Sequence, residues 1–222
     1  MKTESGVWVD RTHRALGPVL ENWCAESVRY SQIAKDISWW HNERASISIL
    51  ACAAARLENW VALEEFPTRK GKVEQDGDRR EQQGRCDLWL AHRQRDYAIE
   101  FKQAWQSLDS RVRDFVRTQQ AWEAAWKACG NLQADEAERR FSGIFVSPYH
   151  KGKAKEIDGS HLRRRFIQLE EWMVELEGIV ALAWTYRLDL AACESSKHYV
   201  FPGALVALRR RHRSEKTRHL RS

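Results

Sequence analysis

Gly84-Arg85-Cys86-Asp87-Leu88-Trp89-Leu90 and Asp96-Tyr97-Ala98-Ile99-Glu100-Phe101-Lys102 read as parts of two β-strands, Arg85 to Ala91 and Asp96 to Lys102. The short link His92-Arg93-Gln94-Arg95 between them predicts a hairpin. In the second strand, Tyr97, Ile99 and Phe101 fall on one face and Ala98, Glu100 and Lys102 on the other, because side chains alternate along a strand. Glu100 and Lys102 therefore stand side by side on the less apolar face of a strand that reads as buried. Charged groups in such a place are seldom without a function or a partner. Asp87 lies on the preceding strand, and antiparallel pairing would bring both carboxylates to one end of the strands. Two oxygen-rich acids suit a hard divalent cation, Mg²⁺ or Mn²⁺. Such an ion polarises a phosphodiester and lowers the pKa of a bound water. A neighbouring lysine can position or deprotonate that water and offset charge on the phosphate.

Working outward, Pro18 to Tyr30 predicts a helix, and Asp36 is placed to cap a second one running to Glu58. The second has an apolar stripe of Ile37, Trp40, Ile47, Leu50 (or Ala51), Ala54 and Leu57. Trp60 to Phe66 reads as a short strand stopped by Pro67, and the polar, charged stretch from Arg69 to Gly84 as a long loop. Beyond Lys102 come a helix from Leu108 to Cys129, a strand from Phe141 to Ser147 and a helix from Leu162 to Leu176. Strands at Ile179 to Tyr186 and Tyr199 to Leu208 complete the pattern. Strands interleaved with amphipathic helices predict an α/β layer structure around a mixed sheet.

This arrangement resembles the PD-(D/E)XK, or restriction-endonuclease-like, nuclease superfamily. Its motif is an Asp on one strand and Glu/Asp-x-Lys on the next, on a core of helix, three strands, helix, strand. The matching residues are Asp87 and Glu100-Phe101-Lys102, and Glu100 is the only acid in the chain with a lysine two positions on. Cys86 stands where the family's proline would be, and the QxxxY signature of the RecB-like exonuclease branch is absent. The resemblance implies a mixed sheet flanked by helices, with the core at 36–147 and additions at 148–208 inside a nuclease-like domain of 36–208. An N-terminal helical extension, 1–35, and a basic tail, 209–222, would flank it. It implies Asp87, Glu100 and Lys102 as catalytic residues of a DNA endonuclease. Asp87 and Glu100 would hold the metal with a third acid from the first core helix or strand. Glu43 is the candidate, because it shares the inward stripe of its helix, an expensive place for a lone carboxylate. Glu64, on the first strand, is the runner-up.

Bulk properties bound the rest. The chain has 222 residues, 43% of them hydrophobic, which is enough for one sizeable core. The net charge is +6, and the segment from Arg209 to Ser222, with seven Lys/Arg and one Glu, accounts for all of it. Arg209, Arg210, Arg211 and Arg213 could neutralise phosphates there or belong to a solvated end. Arg113 and Arg117 (with Arg111), on the helix after the motif, and Lys151 and Lys153, after the fourth strand, are further candidate nucleic-acid contacts. Charges in such places are as often merely solvated. Five widely spaced cysteines without a CxxC pair point to reduced, mostly buried thiols in a cytoplasmic protein. No apolar run reaches membrane-spanning length, and no secretory signal is visible at the start. A homodimer would supply the two active sites needed to cut both strands of a duplex at once. Two other readings compete: a non-catalytic nucleic-acid-binding protein that keeps the nuclease fold, and an interaction or assembly factor whose eleven tryptophans serve contact.

Overall fold

The computed structural model describes residues 3–73, 79–93, 95–109, 114–133 and 135–212, with the backbone alone for 72, 73 and 79–82. In chain order the principal elements are β1 (Thr3–Val9), α1 (Gly17–Ala34), α2 (Glu43–Ala55), β2 (Trp60–Val73), β3 (Arg79–His92) and β4 (Arg95–Ser107). Then follow α3 (Val116–Asn131), β5 (Arg139–Lys151), α4 (Gly159–Val174), β6 (Ile179–Arg187), β7 (Tyr199–Val200) and β8 (Gly203–Arg211). The result is a mixed α/β fold. Its eight-stranded sheet has the order β1-β6-β8-β5-β4-β3-β2, with β7 paired to β5 off that path. Only β4 and β5 pair in parallel among the described strands. A parallel pair needs a crossover, and α3 supplies it.

Helices cover both faces. The odd positions of β4 face α1: Phe101 stacks on Phe145 of β5, and Phe145 meets Trp23 of α1. Tyr97, Ile99 and Phe101 are fully buried there. The even positions face α3, where Gln106 accepts hydrogen bonds from the Thr118 N–H and hydroxyl, both at 3.2 Å. On the α3 side α4 adds Trp172, which meets Phe115, and its Phe166 packs edge-on against Tyr186 of β6. No helix among the described residues is long and apolar enough to cross a membrane. All five cysteines are free thiols, and only Cys52 is exposed.

Several elements differ from the sequence reading, each for a physical reason. The supposed helical extension carries β1, which pairs antiparallel with β6 from Thr3↔Arg187 to Val9↔Ala181. Being an edge strand in which no side chain is fully buried and only Val7 and Val9 pack against the core, it lacks the sustained apolar alternation that marks a strand. Helix α2 begins at Glu43, where Asn42 Oδ1 caps the Ala45 N–H at 3.1 Å. Asp36 is not the cap: its carboxylate is taken by the Ile37 N–H at 2.8 Å and by His41 at 2.8 Å.

Pro67 does not end its strand. Strand β2 lies at the sheet edge, where a missing N–H breaks no ladder, and Pro67 simply pairs with Arg85. The supposed loop from Arg69 to Gly84 is largely a two-stranded ribbon, paired from Arg69↔Gln83 to Val73↔Arg79; residues 74–78 lie outside the described residues. Strand β4 runs on to Ser107, so the next helix starts at Val116 rather than Leu108. The last predicted strand is two, β7 and β8, separated at Pro202. Strand β8 continues to Arg211, so three arginines assigned to the tail belong to the sheet.

Candidate functional site

Strands β3 and β4 pair from His92↔Arg95 to Leu88↔Ile99. Past that rung β3 stays with β2 and β4 stays with β5, so the sheet forks. Asp87 and Glu100 are the next residues on either side of the fork. Asp87 Oδ2 accepts the Phe101 N–H at 2.7 Å, satisfying an amide that the parting strands would otherwise leave without a partner. Glu100 is buried, only 3% exposed. Lys102 turns into the fork: its Nζ donates to the Phe101 carbonyl at 2.6 Å and lies 3.5 Å from Glu43 Oε1.

Glu43 is the first residue of α2, where a carboxylate also meets the positive end of the helix. Gln103 brings that helix start to β4. Its Nε2 donates to the carbonyls of Trp39 (3.3 Å) and His41 (3.0 Å), and its backbone N–H lies close enough to the Glu43 carboxylate to favour the charged form. Gln103 and Gln106 are thus committed to the scaffold.

Lys70 completes the cluster, and sequence reasoning missed it. Its ammonium stands 2.8 Å from Glu100 Oε1. The lysine stem crosses β3 over Gly84, where an added Cβ would come within 2.8 Å of Lys70 Cδ. A glycine inside a strand often marks such a crossing, and that was the one available signal. Arg69, next to Lys70, pins the ribbon to the segment before β5 through Asp135 at 2.9 Å and Glu136 at 3.1 Å.

The electrostatics follow from burial. Glu100 is pushed up to about 7, first by desolvation and then by the Asp87 charge, while Lys70 and Lys102 pull it back. Glu43 is also raised, chiefly by burial, with Lys102 opposing and Asp87 adding to the rise. A carboxyl raised on folding stabilises the fold at low pH, and that contribution is lost as pH climbs from its ordinary 4.5 to about 7. The ionised Glu100 therefore costs roughly 3 kcal/mol above neutrality. In EDTA at pH 8, Glu100→Gln should melt at a higher temperature than the parent, and the gap should close by pH 5. A Glu100→Gln protein that melts lower at pH 8 would instead make the Lys70–Glu100 pair net stabilising.

The structure brings together Asp87, Glu100, Lys102 and Glu43. Glu64 stands apart, its exposed carboxylate accepting from the Ser48 hydroxyl at 2.9 Å. Arg117 is exposed in the first turn of α3. Lys151 and Lys153 are exposed at the end of β5 and just beyond it, far along the strand from Ile144, the partner of Lys102. The β8 arginines are engaged rather than free. Arg209 and Arg211 lie over the Trp126 ring at 3.9 and 4.4 Å, and Arg210 approaches His13 at 3.5 Å. Arg111, Arg113 and Arg213 lie outside the described residues.

Among the described residues, no three His, Cys, Asp or Glu side chains are grouped tightly enough to cage a metal ion. The donors at the fork are nevertheless all oxygen and largely anionic, and ammonium groups already sit against Glu100, Glu43 and the Phe101 carbonyl. Such positions favour a cation.

Fold and site together define a mixed α/β protein with a carboxylate–lysine cluster at a fork in its sheet. Comparison of the chain with protein-family models, curated proteins and solved structures finds no match.

Proposed function

We propose that this chain is a metal-dependent nuclease of the PD-(D/E)XK class, a Mg²⁺- or Mn²⁺-dependent phosphodiesterase that acts on DNA as an endonuclease. The observation that carries the reading is the fork: Asp87 and Glu100 face each other where β3 and β4 part, with Lys102 two residues on. The succession α2, β2, β3, β4, α3, β5 adds support, being the order of elements that the resemblance implies. The preference for DNA rests on that resemblance alone.

In this reading Asp87 and Glu100 hold the ion through their carboxylates, and Glu43 is the third acid. The bound ion supplies charge for the phosphate and acidifies a water. The Phe101 N–H keeps Asp87 aimed into the fork. Lys102 orients the attacking water and offsets the charge that develops on the phosphate. Lys70, standing against Glu100 Oε1, favours its ionised form against burial and the Asp87 charge.

The test is incubation with plasmid, linear duplex, single-stranded DNA and RNA, each with Mg²⁺, Mn²⁺ or EDTA, beside an Asp87→Asn protein. Cutting that needs metal and disappears in Asp87→Asn is the expected result. Salt-sensitive binding of nucleic acid with no cutting under any condition would favour the non-catalytic binding protein. Neither cutting nor binding would make the cluster structural.

A further inference from the structure

Ahead of the fork, β4 begins among cations. Arg95 is its first residue, and Arg93 precedes it in the turn with a left-handed φ of 57°. In the neighbouring strands, Arg139 opens β5 opposite Tyr97, and Arg210 of β8 pairs with Phe141. His13 joins them from a 3₁₀ turn at Arg11–Leu16. A cavity of about 470 Å³ opens here, lined by Ala15, His92, Arg93 and Arg95. An unbroken row of ring contacts, His92–Trp60–Tyr97–Phe141–His13, runs beneath and holds both histidines in place.

These cations are poorly matched by acids. The Arg139 side chain is only 11% exposed, and its nearest carboxylate, Glu138, stands 3.6 Å away. Its Nε makes no hydrogen bond, and neither does the Nε of Arg210. The other nearby acids are occupied: Asp10 accepts from His13 Nδ1 at 2.7 Å and from the His13 N–H at 2.8 Å, and Asp96 accepts the Glu138 N–H at 2.6 Å. Arg210 meets the His13 imidazole at 3.5 Å, and the charges of Glu138 and Asp10 reach it without a direct ion pair. Burial lowers His13, with Asp10 opposing and Arg210 and Arg139 adding to the fall; burial and then Arg93 and Arg95 lower His92; and burial and Arg139 lower Arg210 against the pull of Glu138 and Asp10. Buried guanidinium donors without acceptors are costly. An anion with several oxygens, spaced for forked N–H groups, answers that need.

We infer that this end of the sheet is a phosphate-binding site, with Arg93 and Arg95 of the cavity wall as its donors and Arg139 and Arg210 adding positive charge from the neighbouring strands. The phosphate comes from a nucleic-acid backbone or from a free polyphosphate; the recognition chemistry is the same. The site does not depend on cleavage. Glu100 lies five positions along β4 from Arg95, about 16 Å, so the site can be probed without touching the fork.

The experiment is calorimetric titration of the full chain, in EDTA and low salt, with inorganic pyrophosphate and, separately, with a short 5′-hydroxyl oligodeoxynucleotide. Arg95→Gln and Arg210→Gln proteins run alongside, with circular dichroism to confirm their folding. Arg210 is half-buried, so the exposed Arg95 gives the decisive variant. At least one probe should bind the parent and bind Arg95→Gln about tenfold more weakly, the loss expected for one charge-assisted pair. Weakened binding of the oligonucleotide alone assigns the site to a nucleic-acid backbone; weakened binding of pyrophosphate alone assigns it to a free phosphate compound. If neither probe binds the parent, or Arg95→Gln binds both as tightly as the parent, the inference is overturned. Because metal is absent, these outcomes are separable from those of the cleavage assay.

Discussion

Lys102→Met is expected to fold as the parent does and to lose metal-dependent cleavage by a factor of about 100 or more. The first half follows from exposure. The Lys102 side chain is 38% exposed, and methionine keeps most of its stem, so packing changes little. The substitution breaks an ion pair of 3.5 Å with a half-buried Glu43, and a pair so open to solvent is worth at most about 1 kcal/mol. The second half follows from position. Removing one preorganised cation that meets developing charge typically costs two to three powers of ten in rate. Loss of an acid–base group adds to that. Urea melts and single-turnover cleavage, measured on the same preparation, separate the two halves. A Lys102→Met protein that cuts within a few-fold of the parent would remove Lys102 from the chemistry. One that fails to fold would make its role structural.

The strands that flank the fork were legible because their buried faces repeat every second residue. Tyr97, Ile99 and Phe101 announce β4, and Leu88 and Leu90, both buried, announce β3. Asp87, Glu100 and Lys102 were legible for the complementary reason, as charges interrupting that burial. The elements that were missed bury little of themselves. Strand β1, apart from Val7 and Val9, and the ribbon of β2 and β3 beyond Pro67 are held chiefly by backbone pairing along the sheet, and a pattern of hydrophobicity cannot report backbone pairing. Lys70 was hidden by the same fact. A polar stretch that reads as a loop connects its lysine to no acid on β4, although Gly84 marks where the lysine stem crosses. The start of α2 is ambiguous in the sequence because Asp36 and Asn42 are both good caps, and the local contacts of Asp36 with His41 and Trp40 remove it from contention. The arginines of β8 illustrate the opposite error. A run of Arg209, Arg210 and Arg211 resembles a solvated tail in composition, yet the sheet uses it as a strand end and covers Trp126 with two of the guanidiniums.

The second large effect concerns the scaffold that holds the fork. Gly143→Ala should destabilise the fold by about 3 kcal/mol, the upper range for forcing a methyl into a full core. Gly143 sits on β5 with Phe101 of β4 on one side and Leu208 of β8 on the other. A Cβ there would lie 2.3 Å from Phe101 Cε1 and 2.9 Å from Leu208 Cδ2. The Phe101 ring cannot swing away cheaply, because it is fully buried and stacked on Phe145 at 4.6 Å. The damage would also reach the site, since the Phe101 backbone N–H fixes Asp87. Gly143→Ala should therefore weaken Mg²⁺-dependent cleavage beyond what its unfolded fraction explains. Phe101→Leu, made in the same protein, vacates the ring's space and should restore part of the stability. The double variant should thus be more stable than the sum of the two single losses predicts, and that coupling identifies the pair as neighbours in one packing problem. Urea denaturation of all four proteins gives the cycle. A Gly143→Ala protein within about 1 kcal/mol of the parent, or a cycle without coupling, would mean that β4 and β5 have room to part, and that the Asp87 anchor is less rigid than its 2.7 Å hydrogen bond implies.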